Sequence, residues 1–175
     1  YGDWTSSKAV PLLTDFVSTL GGSSHFRINS TYGAASELRY GGAATDPYSK
    51  GLELSDGDVR DAVLAAIASG ALPSDPEGIY AVLASSDVDQ GPGLCSSYCS
   101  WRRRADAGGP DLKYAFVGNP ARCPAACQTQ PRGPNGDAAA DAMAAALGYE
   151  LSDAVTNAAS TAGRCAWSFG ATNST

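Results

Sequence analysis

Apolar residues recur at helical spacing between residues 7 and 20, at Ala9, Val10, Leu12, Leu13, Phe16, Val17 and Leu20, and Gly21 with Gly22 supplies a stop. Pro11 falls near the first turn, where a missing N–H matters least. The preceding residues 1–4 then read as the end of a strand. Residues 26–32 alternate apolar with polar, which predicts a second, half-exposed strand with Asn29 facing solvent. A passage rich in Gly, Ala, Pro and Tyr over residues 33–51 predicts a long loop. Ser55 with Asp58 three residues on predicts a capped helix running to residue 69, with Val59, Val63, Ala66 and Ile67 as its buried stripe. The apolar runs 79–84 and 114–117 are too short for helices and fit central strands covered on both faces. An Ala-rich helix follows over about residues 137–156, with Asp137 as its cap and Asp141 in its first turns. Alternating strands and helices predict an α/β protein, a three-layer sandwich around a mixed, mostly parallel sheet.

Composition narrows the class of protein. With 175 residues, 43% hydrophobic and 17% charged, residues 1–175 are expected to form a single domain. A formal charge of −6 leaves no basic field for nucleic acid. No apolar stretch reaches the roughly 20 residues of a membrane span. Five cysteines fall as Cys95/Cys99, Cys123/Cys127 and a separate Cys165. Three-residue gaps in loops of Gly, Pro and Ser fit disulfides better than a zinc knuckle, and about 15 two-bridge connectivities stay open. The odd cysteine predicts a partner beyond residue 175, and hence a chain that is part of a longer polypeptide. Two sequons, at Asn29 and Asn173, join the cysteines in pointing to a secreted glycoprotein.

Several segments together carry a resemblance: Tyr-Gly-Asp-Trp at 1–4, Gly-Ile-Tyr-Ala-Val-Leu-Ala-Ser-Ser-Asp-Val at 78–88 and Tyr-Ala-Phe-Val-Gly-Asn at 114–119. Cys-Ser-Ser-Tyr-Cys, Cys-Pro-Ala-Ala-Cys and Pro-Asn-Gly-Asp at 134–137 extend it over nearly the whole chain. The sequence resembles the phosphate-induced protein 1 family of plant and algal secreted proteins, also called the EXORDIUM family. The resemblance implies an extracellular or cell-wall protein linked to growth and cell expansion, without a settled biochemical activity. It also implies a further C-terminal cysteine to pair with Cys165.

Residues 148–157 look like a segment that in some microbial relatives reads His-Glu-Leu-x-Glu-Ala-x-Thr-Asp-Pro. Such a zincin-like helix presents two metal ligands at i and i+4, with the intervening glutamate placed to activate a metal-bound water. Here Tyr149 stands at the histidine position and Asp153 at the second ligand, and only Glu150 is kept. A zinc-peptidase site therefore reads as dismantled, and no catalytic residue, metal or cofactor is assigned. The simpler reading of Tyr149, Glu150 and Asp153 is a polar helix face closing over a sheet edge. His25, the sole histidine, reads as a surface residue. Trp101 with Arg102, Arg103 and Arg104 reads as a solvated loop sooner than a grip on anionic polysaccharide. Asp87 and Asp89 follow a strand, where they bind calcium or start a turn. No nucleophile elbow, Walker loop or dinucleotide fingerprint is present.

The expected function is a noncatalytic structural or binding component of a cell wall, extracellular matrix or surface appendage, with wall proteins or glycans as partners. Two alternatives stand beside it: a divergent metal-dependent hydrolase using Glu150 and Asp153, and a carbohydrate-binding module stacking sugars on Trp4, Trp101 and Trp167.

Overall fold

The structure is a computed structural model that describes residues 1–5, 7–34, 37–105 and 111–156. In chain order it contains α1 (Ala9–Leu20), α2 (Ser24–Arg27) running into a 3₁₀ turn (Ile28–Tyr32), β1 (Glu53–Leu54) and α3 (Asp56–Ala68). Then come β2 (Ile79–Leu83), β3 (Asp89–Gln90), β4 (Ser100–Ala105), β5 (Leu112–Val117), a 3₁₀ turn (Pro120–Arg122), α4 (Pro124–Cys127) and α5 (Ala138–Thr156). The helix caps follow the local chemistry. Ser55 Oγ accepts from Asp58 N while Asp58 Oδ2 accepts from Ser55 N, closing a capping box on α3. Asp137 Oδ1 accepts from Ala140 N at 3.0 Å and starts α5.

The described residues form a mixed α/β fold with two small sheets. β2 and β5 pair in parallel and β4 pairs with β5 antiparallel, in the order β2-β5-β4; β1 and β3 form a separate two-stranded parallel pair. Side chains alternate across β5, and each face has its own core. Tyr114 and Phe116 lie with Val59 and Val63 of α3 and with Val82 of β2. Val117 lies with Ala9 and Leu13 of α1, Phe26, and Met143, Leu147 and Leu151 of α5. Burial on both faces explains why β5 reads as an unbroken apolar run.

Four expectations need correction. Residues 26–32 are helical: Ser23 Oγ caps Phe26 N at 3.1 Å, and the Ser30 and Thr31 hydroxyls donate to the carbonyls three residues back. Residues 1–4 are not a strand, because Gly2 turns the chain at φ +96°. Their start is nonetheless tied to the end of β2, through Tyr1 N to Leu83 O at 2.8 Å and Ser85 N to Tyr1 O at 3.0 Å. β2 is an edge strand whose Ala81 is exposed. Residues 100–105 form the other edge strand, β4, and not a loop.

The helical turn also moves Asn29 inward. It is 7% exposed, and its Nδ2, the atom a glycan would occupy, is buried without a hydrogen-bond partner among the described residues. The solvent-facing placement expected of this sequon is thus overturned. We expect Asn29 to be unmodified in the folded protein, so that peptide mapping after peptide N-glycosidase treatment finds asparagine at 29; conversion to aspartate there would contradict this packing. Asn173, Trp167 and Cys165 lie outside the described residues.

Candidate functional site

β4 offers Ser100 and Arg102 on one face, two residues apart, and Trp101 and Arg103 on the other. α5 offers Glu150 and Asp153 on one face, three residues apart. The two periodicities meet. Ser100 Oγ donates to Glu150 Oε1 at 2.6 Å, and Arg102 forms a salt bridge with Asp153 through its Nε. The Arg102 and Asp153 side chains are 22% and 15% exposed, so the pair is largely withdrawn from water. Tyr149 lies on the outer side of α5, 50% exposed, next to the fully enclosed Glu150 at 4%. The sequence-predicted trio is therefore split: Glu150 and Asp153 face the sheet edge, and Tyr149 faces outward.

The electrostatics of this clamp follow from burial. Desolvation pushes the Glu150 carboxyl above its ordinary 4.5, partly offset by the Ser100 hydroxyl; the Asp153 charge adds to the rise and Arg102 opposes it. The fold thus favours protonated Glu150. The stability this confers is complete below the unfolded-state value and is lost as pH climbs through the raised folded value. Glu150→Gln keeps a carbonyl acceptor for Ser100 and removes the charge. It should gain melting temperature over the parent progressively as pH rises above the ordinary carboxyl value, whereas parallel melting curves would contradict the assigned burial.

The opposite face of β4 carries Trp101 and Arg103. Trp101 stacks on Phe116 with ring centroids 5.8 Å apart, meets Tyr114 edge-on, and carries the Arg103 guanidinium 5.2 Å from its centre. Its Nε1 donates to Gln90 Oε1 at 2.8 Å, which also accepts from Tyr98 OH. Gln90 is 1% exposed, and its Nε2 donates to Asp56 Oδ1 at 2.7 Å. Arg103 pairs with Asp56 at 2.6 Å, and Arg104 with Asp111. Trp101 thus packs against the core on this face, and each arginine of β4 has a carboxylate.

A second polar cluster gathers where β2 ends. Asp87 accepts from Ser85 Oγ and Tyr48 OH, both at 2.6 Å, and Asp3 N donates to both hydroxyls. These bonds, Ser85 first, hold the Asp87 carboxyl below its ordinary range. A Cβ at Gly2 would lie 1.9 Å from Ser85 Oγ, so glycine is required for this contact. Segments 1–4 and 84–88 are far apart in sequence and interlock here. Asp89, which sequence reasoning grouped with Asp87, is instead bound to Arg122 at 2.6 Å. Tyr48 had no signal in its loop. His25 is exposed on α2.

The cysteines form a two-rung ladder, Cys95–Cys123 and Cys99–Cys127, with Cα separations of 5.8 and 5.6 Å. It joins the loop before β4 to α4. No described helix is long and apolar enough to cross a membrane.

Comparison with known proteins places these features. The chain is 26% identical over 190 residues to Protein EXORDIUM-like 5 of Arabidopsis thaliana, an alignment covering 90% of this chain and 52% of that protein. The chain therefore spans about half the length of the curated relative it matches. No solved structure matches it. A family model described as the phosphate-induced protein 1 conserved region matches residues 1–163, and the chain belongs to that family.

Proposed function

We propose that this is a secreted, disulfide-braced domain that acts without catalysis, as a structural or binding component of a cell wall or extracellular matrix in a growth-associated setting. One observation carries the reading. The two carboxylates that a metallopeptidase-like helix would direct at a metal and its water are instead joined to β4, Asp153 by the Arg102 guanidinium and Glu150 by the Ser100 hydroxyl. A guanidinium opposes the approach of a divalent cation to Asp153, and Glu150 is engaged by the Ser100 hydroxyl. Paired disulfides suit an oxidising compartment. The finer architecture we assign is a three-layer sandwich, with α3 on one face of the sheet and α1 with α5 on the other.

Incubation of the oxidised protein with isolated walls and with their extracted polymers tests this. The expected result is co-sedimentation with polymer lengths and protein substrates unchanged. Cleavage of a polymer or a peptide that disappears in Glu150→Gln would overturn it in favour of a metal-dependent hydrolase.

A further inference from the structure

Three of the four ladder sulfurs lie closer together than two independent disulfides require. Cys123 Sγ and Cys127 Sγ, which belong to different bridges, are 3.5 Å apart, and the Sγ atoms of Cys95, Cys123 and Cys127 all lie within 4.8 Å of one another. Cys99 Sγ is bonded to Cys127 and stands outside this mutually close set. A tetrahedral zinc site with Zn–S bonds of about 2.3 Å separates its sulfurs by about 3.8 Å, a spacing that the separations of the three close sulfurs bracket and that Cys99 reaches by moving toward them once the bridges open.

The backbone that carries the sulfurs has its own supports. Cys95 N donates to Tyr98 O at 3.0 Å, Gly118 N to Cys99 O at 3.0 Å, Cys123 N to Pro120 O at 3.1 Å and Cys127 N to Cys123 O at 3.0 Å. None of these bonds depends on an S–S linkage. All four cysteines are half-buried, so an ion has access from one side while protein covers the other.

We propose that the ladder is a redox-gated site for one soft cation of the zinc class. When oxidised it is two disulfides. When a dithiol or phosphine reductant supplies two electrons to each bridge, four thiols form, and binding one Zn²⁺ releases their protons to give a tetrathiolate. Four sulfur donors select Zn²⁺, Cd²⁺ or Cu⁺ over Ca²⁺ and Mg²⁺. The sulfur donors are distinct from Glu150 and Asp153, although Cys99 directly precedes Ser100, which donates to Glu150.

The test uses the full chain, reduced anaerobically, freed of reductant and titrated with Co²⁺, with Cys165→Ser as the background that removes the fifth thiol. The expected result is one Co²⁺ per chain with the intense visible bands of tetrahedral thiolate cobalt, displaced by Zn²⁺, and none in the oxidised protein. Cys99→Ser in that background should change the band pattern and weaken Co²⁺ by more than about tenfold. If the reduced apoprotein loses structure by circular dichroism, stoichiometric refolding on Zn²⁺ supports the site equally. Absence of tetrahedral bands in the reduced protein, or bands that survive replacement of all four ladder cysteines, overturns it.

Discussion

Breaking both rungs of the cysteine ladder is expected to lower stability by about 6 kcal/mol, a loss comparable to the whole stability of many domains of this size. Each bridge spans a sequence separation of 28, so the first to form restricts the unfolded chain by about 3.5 kcal/mol. With one rung in place, the other closes only the small ring between two nearby i,i+4 segments and contributes about 2.5 kcal/mol. Replacing Cys95 and Cys123 together, or Cys99 and Cys127 together, should therefore cost about 2.5 kcal/mol. Losing the remaining rung afterwards should cost more than losing the first. Urea denaturation of the two double variants and the quadruple variant measures this, and equal, additive losses would contradict the ladder. An unchanged melting point under reductant would remove the bridges from the account altogether.

The second large effect belongs to the clamp between β4 and α5. Arg102→Met should cost about 2–3 kcal/mol, because it leaves the Asp153 carboxylate largely desolvated with its cation removed. It should also raise the Glu150 carboxyl further, since Arg102 holds that value down. Adding Asp153→Leu to Arg102→Met should restore most of the stability, because an apolar pair in this partly buried position leaves no orphaned charge. A double-mutant cycle in urea is expected to return a coupling above about 1.5 kcal/mol; additivity within about 0.5 kcal/mol would mean that the pair does not hold the helix to the sheet.

The sequence carried some of these elements plainly and hid others. α1, α3 and α5 were legible because their periodicity, the Ser55 and Asp58 capping box and the Asp137 cap act within a few residues. β5 was legible because both its faces are buried. β4 was not: a strand reading Ser-Trp-Arg-Arg-Arg-Ala shows no apolar alternation, since its charges are neutralised by Asp153, Asp56 and Asp111, two of them some fifty residues away in sequence. The same distance hid Ser100 and Arg102 as partners of α5, although Glu150 and Asp153 themselves stood out through the resemblance of residues 148–157 to a metallopeptidase-like segment. Residues 26–32 misled because serine and threonine hydroxyls bond local carbonyls, a tendency that apolar alternation does not register. The i,i+4 cysteine pairs announced bridges, but pairing depends on which loops the fold brings together.

The most direct test of the central claim, that α5 is a structural clamp and not a metal site, is the metal content of the natively isolated, oxidised protein, read by elemental mass spectrometry together with its melting temperature in chelator. The account predicts no stoichiometric zinc and no chelator shift. One zinc per chain, lost in Glu150→Gln or Asp153→Asn with the disulfides intact, would contradict it.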